Sequence, residues 1–334
     1  MLRPRDRKIL FIAVILFLST QALIFASIPN DTDGRLRSLV VKKGTNTRVL
    51  AEQLAAEGLV SSRYLFLAFS GLAYRGRVVA GEYELSPEMS IIEVARKFAT
   101  GQRKIYTLRI VEGYNLINIG EAIEKAGIMD RKTFLGLAGS REFLNRLGIP
   151  SVSLEGYLMP DTYFYSKETD VEGFIERLAQ RTFKVFEAPE LRQRMTELGL
   201  DMHAILTFAS MIEKESKFDE ERRVVASVFH NRLRAGMSLD CDPTVIYGAG
   251  AFHRDLTRQD LAAYTPYNTY LFRGLPKGPI ASSSKSAIMA VLYPAQSDFL
   301  YFVSRNDGTH VFSRTMQEHN HYVMAYQRNR GRKP

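Results

Sequence analysis

Tryptophan is absent from the 334 residues, so a flat ligand could stack only on the 16 Tyr and 20 Phe. Cysteine occurs once, at Cys241, which excludes an internal disulfide in any compartment. Its neighbours Asp240 and Asp242 disfavour a reactive thiolate there. His319 and His321 flank Asn320, but no HExxH and no Cys/His ligand spacing exists, so no metal site is expected. No P-loop, GxGxxG or GxSxG occurs either, so no cofactor and no nucleic-acid partner is expected. Internal repeats and low-complexity segments are also missing.

What is present starts at the N-terminus. Residues 9–28 carry no charge, and their only polar members are Ser19, Thr20, Gln21 and Ser27. A helix of that length reaches about 30 Å, enough to cross a hydrocarbon core. Arg3, Arg5, Arg7 and Lys8 precede it, which places residues 1–8 on the cytoplasmic side. A cleaved signal peptide fits less well, because the apolar run is long and Ile24 before Ala26 is a poor cleavage site. The expectation is a single-pass helix in the inner (cytoplasmic) membrane, with the rest of the chain outside it. The net charge is +9, and beyond the N-terminal cluster it is spread thinly apart from a basic tail at 326–334. Such a tail reads as a solvated end, and an anionic polymer or lipid headgroups are the partners its sign allows.

Hydropathy patterning predicts an α+β chain. Residues 29–37 read as a polar linker, followed by a small α+β unit at 38–105. That unit shows strands at 39–41 and 80–85 and helices at 47–57 and 64–72, with a third helix capped by Ser90. A larger mixed α+β domain spans 106–325. It opens with a strand at 105–111 and helices at 116–126 and 132–137. Residues 154–163 read as a loop, and helices follow at 171–186, 203–218 and 220–235. Asn306-Asp307-Gly308 between apolar runs predicts a hairpin, and His310 reads as one of its side chains.

The densest chemistry lies at Met211-Ile212-Glu213-Lys214-Glu215-Ser216, where two carboxylates interrupt an apolar helix. Burying a carboxylate is costly unless it is paired or neutral. On a helical wheel Glu215 falls inside the arc of Phe208 and Met211, whereas Glu213 lies about 200° away beside Leu206. Glu215 is therefore the inward acid, and Glu213 is expected to matter much less. From spacing alone, both could equally be structural acids paired with Lys214, Lys217 or Arg222. The polar turn at Asp242-Pro243-Thr244, with Tyr247, Tyr267-Asn268-Thr269-Tyr270 and the Pro/Gly-rich run at 274–280, offers rings and hydrogen bonds suited to sugars.

Taken in order, these segments resemble the endolytic murein transglycosylases, the MltG or YceG-like family. The matching stretches are Ala209 to Glu215, Val228-Phe229-His230-Asn231-Arg232-Leu233, and Asp242-Pro243-Thr244-Val245-Ile246-Tyr247-Gly248. Tyr267 to Tyr270, Gly274-Leu275-Pro276, Gly278 to Ala281, Asp307 to Phe312 and Glu155-Gly156-Tyr157-Leu158 match as well. Lys277 and Cys241 depart from the usual pattern. The resemblance implies a LysM-like first unit and Glu215 as the catalytic acid. It also points to Glu155, Tyr157, Asn231, Asp242, Thr244, Tyr247, Asn268 and Tyr270 as substrate-binding residues. The implied activity is endolytic cleavage of the MurNAc–GlcNAc bond in peptidoglycan strands, leaving 1,6-anhydroMurNAc ends and terminating strand elongation. Cell-wall synthesis proteins are the implied envelope partners. Two other readings stay open: a membrane-anchored glycan-binding protein without catalysis, and a muramidase using Glu215 with Glu155, Asp161 or Asp242.

Overall fold

The computed structural model describes residues 3–32 and 34–328. The chain divides into two compact units, one of residues 1–106 with 164–169, the other of 107–163 with 170–334. The expected basic tail lies outside the described residues from position 329 onward.

The first unit begins with helix α1 (Pro4–Ser27), whose apolar side chains from Ile9 to Phe25 are largely exposed. Strands β1 (Arg37–Val41) and β2 (Gly81–Leu85) pair antiparallel with Leu39 opposite Tyr83. Between them lie α2 (Thr47–Ala56) and α3 (Arg63–Tyr74), and α4 (Ile91–Thr100) follows β2. Ser90 and Glu93 form a reciprocal capping box that starts α4. Leu39, Tyr83, Leu50, Leu54, Phe66 and Phe98 build the core. Ala26, in the last turn of α1, is 3% exposed and belongs to that same core. The stretch read as a linker is pinned at its start: Asn30 and Asp31 both donate backbone N–H groups to the Pro87 carbonyl.

The second unit holds all but the first residue of β3 (Tyr106–Ile110), followed by α5 (Leu116–Lys125), α6 (Arg131–Ala138) and α7 (Arg141–Arg146). β4 (Asp161–Tyr165), of which residues 161–163 belong to this unit, pairs with β3 and occupies part of the segment that reads as a loop. α8 (Val171–Val185) and α9 (Pro189–Leu198) lead to α10 (Met202–Glu215) and α11 (Asp219–Arg234). Next come α12 (Asp242–Ala249), α13 (Arg258–Leu261) and α14 (Lys285–Leu292). The expected hairpin is β5 (Tyr301–Ser304) with β6 (His310–Ser313), and α15 (Met316–Val323) closes the unit.

α10 is the centre of this unit. Eight consecutive residues, Ile205 to Ile212, are buried, so the helix is enclosed on all sides. α11, α12 and α14 pack against it. It ends at Glu215, three residues earlier than its sequence pattern suggests, because Ser216 turns extended while still donating its N–H to the Ile212 carbonyl. The polar turn expected at 242–244 is instead the first turn of α12. Pro243 is tolerated there because helix-start N–H groups have no intrahelical partner, and Asp242 complements the positive end of the helix dipole.

Candidate active site

The two acids at the end of α10 have different surroundings. The Glu213 side chain is only 4% exposed and meets Arg222 of α11, with Arg222 Nη2 to Glu213 Oε1 at 2.7 Å. Its Oε2 accepts from the Ser284 backbone N–H at 2.8 Å and the Ser284 hydroxyl at 2.6 Å. Arg222 Nη1 also reaches Ser284 Oγ at 2.7 Å. The structural reading thus holds for Glu213, with Arg222 as its partner. It is not a bystander, however, because this ion pair ties α10, α11 and the cap of α14 together.

Glu215 forms no ion pair among the described residues. Its one hydrogen-bond partner among the described residues is Cys241, whose Sγ donates to Oε1 at 3.3 Å. Burial pushes the Cys241 thiol well up, so it stays a neutral donor. Burial also drives the Glu215 carboxyl from 4.5 up to about 7, with the neighbouring Asp242 adding to the rise and the Cys241 contact opposing it. With Oε1 accepting from the thiol, Oε2 is left to carry a transferable proton.

Glu215 lines a cavity of about 490 Å³ together with Asp242, Tyr270, Arg232, His310 and Asn320. Asp242 Oδ1 accepts from the Tyr270 hydroxyl at 2.6 Å, fixing that half-exposed ring at the rim. Arg232 donates to the carbonyls of Leu239 and Leu300 and to Asp240, joining the start of α12 to the hairpin. His310 belongs to the hairpin as expected and also forms cavity wall. Its Nδ1 lies 2.8 Å from Glu221 Oε2 and its backbone N–H donates to Glu221 Oε1. The hairpin motif alone did not expose that second role.

Of the residues picked from sequence, Asp242 and Tyr270 share the cavity with Glu215, and six do not line it. Thr244 and Asn268 stand behind it. The Thr244 hydroxyl donates to the Cys241 carbonyl, and Asn268 donates to the Leu261 and Ala263 carbonyls while accepting from the Tyr270 N–H. Asn231 donates to the carbonyls of Ser297 and Phe299. Tyr157 is buried, with its hydroxyl 2.8 Å from His203 Nδ1. These four hold the scaffold. Tyr247 lines a separate pocket with Lys214 and Asn118, and its hydroxyl donates to Glu155 Oε2 at 3.0 Å. Glu155 also accepts from the Leu116 N–H, while its Oε1 is buried with no hydrogen-bond partner among the described residues. The adjoining Gly156 has φ +78°, and a Cβ there would sit 2.3 Å from Pro279, so only glycine fits.

Residues 39–325 match the profile of the YceG-like family. The chain belongs to the YceG-like family. A Bacillus subtilis (strain 168) protein named endolytic murein transglycosylase is 31% identical to this YceG-like chain over 298 residues, covering 84% of this chain and 82% of that one. A Streptococcus pneumoniae (strain D39) protein of the same name is 26% identical over 344 residues, and the match covers 93% of this chain but 62% of that longer protein. The crystal structure of a putative YceG-like protein from Listeria monocytogenes superposes with a TM-score of 0.60 at 31% identity, covering 86% of this chain and 99% of that one.

Burial also raises the Glu155 carboxyl to about 7. Its folded pKa lies above the unfolded value, so its contribution to stability is fully present below about pH 4.5 and is lost as pH rises through about 7. A Glu155→Gln protein should therefore lose less stability between pH 5 and pH 8 than wild type, by up to about 3 kcal/mol. Urea unfolding at the two pH values measures this, and identical pH slopes would contradict the neutral buried carboxyl.

Proposed function

We propose that this protein is an endolytic peptidoglycan lytic transglycosylase with Glu215 as its catalytic acid. The supporting observation is a carboxyl held near pKa 7, with no ion pair among the described residues, on the wall of a cavity that also presents a tyrosine ring. Protonated Glu215 gives its proton to the glycosidic oxygen between MurNAc and GlcNAc as that bond breaks. The MurNAc C6 hydroxyl attacks C1 of the same sugar, and its proton passes to the Glu215 carboxylate. No water is consumed and the acid is regenerated, so no second carboxylate is required. Asp242 and Tyr270 border the bound strand, the ring supplying an apolar face for a sugar.

In this reading residues 1–8 are cytoplasmic, α1 anchors the chain in the inner membrane, and everything beyond it lies on the periplasmic side. The first unit is LysM-like and engages glycan, residues 106–325 carry out the cleavage, and the enzyme ends the elongation of nascent strands alongside cell-wall synthesis proteins.

The test is a digest of purified glycan followed by mass spectrometry. Each cut is expected to leave a 1,6-anhydro end, one water lighter than a hydrolytic product and inert to borohydride. Intermediate fragments should precede disaccharides. Reducible ends would instead indicate a muramidase. Asp242 would then be the acid to examine, because Asp161 is paired with Arg181 and Glu155 lies outside the cavity.

A further inference from the structure

α3 is apolar on both faces. Inward, Phe66 and Ser70 are buried, and Leu65, Leu67 and Phe69 pack against the core. Outward, Tyr64 is 68% and Leu72 88% exposed, with Ala68 exposed between them. The spacing i, i+4, i+8 makes these three one stripe. No charge interrupts α3 after Arg63, and Arg63, Arg75 and Arg77 bracket its two ends. A helix apolar all round is normally enclosed, so the outward stripe calls for a covering phase.

The covering phase follows from α1. Its span Arg5–Ser27 is long and apolar enough to cross a bilayer. Ala26 lies about 27 Å along the axis from Lys8, which puts it at the far edge of the hydrocarbon. The same Ala26 is buried in the core that contains Phe66 of α3, and α1 packs directly on α3 and α4. Behind it the Pro29–Ser90 bridge and the Asn30 side chain, donating to the Gly58 carbonyl at 2.6 Å, leave no slack. The first unit is therefore built onto the last turn of the membrane helix.

We propose that the outward stripe of α3, Tyr64, Ala68 and Leu72, is a bilayer-contacting surface that seats the first unit at the boundary between headgroups and acyl chains. This rests on the reading of α1 as a membrane span. Leu72 enters the acyl region, Tyr64 lies at headgroup level as tyrosines do, and the three arginines meet lipid phosphates.

The natural lack of tryptophan makes the test free of background. Full-length Phe17→Trp, Leu72→Trp and Tyr264→Trp proteins are reconstituted in phosphatidylcholine–phosphatidylglycerol vesicles with and without brominated acyl chains. Tyr264, in the second unit, is 84% exposed and serves as the solvent reference. Tyr64→Trp provides a second probe of the stripe should Leu72→Trp fold poorly. The expected result is strong quenching at position 17 and clear quenching with a blue-shifted emission at 72 and 64, several-fold above that at 264. Quenching at 17 without excess quenching at 72 and 64 would overturn the α3 surface and leave the anchor standing. No quenching at 17 would overturn the anchor reading and the surface with it.

Discussion

A Glu215→Gln protein is expected to fold and bind glycan as wild type does while cleaving it about 10²–10⁴-fold more slowly, the range ascribed to a lost general acid. Glutamine keeps the shape and can still accept from Cys241, but it has no proton to give. The wild-type rate should also carry the signature of this group. Because burial lifts Glu215 to about 7, the active protonated form prevails below that pH, and kcat/KM falls as pH rises through it. A fluorescent glycan digest across pH 5–9, with calorimetry on the variant, reads both effects. Retention of more than a tenth of the activity by the glutamine variant would remove Glu215 from its role.

The second large effect is on stability. Glu213→Ala removes the buried one of the two acids that meet a guanidinium only 9% exposed, and leaves Arg222 with the exposed Asp219 alone. Breaking a buried pair in this way costs about 3–5 kcal/mol. The adjoining Ser284 loses the acceptor for both its backbone N–H and its hydroxyl, so α14 loosens along with α11. Glu213→Ala and Arg222→Ala should each lower the urea midpoint sharply, and the double variant should cost less than the sum of the two. A Glu213→Ala protein within 1 kcal/mol of wild type, the margin of an exposed ion pair, would show that the pair contributes nothing. Equal activity per folded molecule in wild type and variant would separate this acid from Glu215.

The contrast between these two acids shows how far sequence could be read. The wheel placed Glu215 inward because that follows from the local periodicity of α10. It could not show that Glu213 is also buried, since its partner Ser284 comes 71 residues later. Local signals carried most of the elements: the Ser90–Glu93 capping box, the Asn306-Asp307-Gly308 hairpin and the amphipathic runs of α2, α5 and α8. The start of α12 reads as a turn in the sequence because Asp-Pro suits both a turn and a helix start. β4 reads as a continuation of the loop before it, because its five residues follow directly on Gly156 and Pro160. The polar residues chosen around the site were real features, but sequence does not reveal whether an Asn meets a sugar or a backbone carbonyl. Asn231 and Asn268 meet carbonyls. For His310 the motif identified the strand and not the Glu221 contact that sets it into the cavity wall.

That wall has a consequence for how the enzyme comes into being. His310 is held by Glu221 across 89 residues, and Tyr301, His319, Asn320 and Gln327 line the same cavity as Glu215. Closing so long a loop costs about 4 kcal/mol of chain entropy beyond the constant for any closure, recovered only when the hairpin docks. Residues N-terminal to α14 supply Glu215, Arg232, Asp242 and Tyr270, and residues 301–327 supply the facing wall of the cavity. Without the hairpin and α15, the acid at the end of α10 would face open solvent on that side.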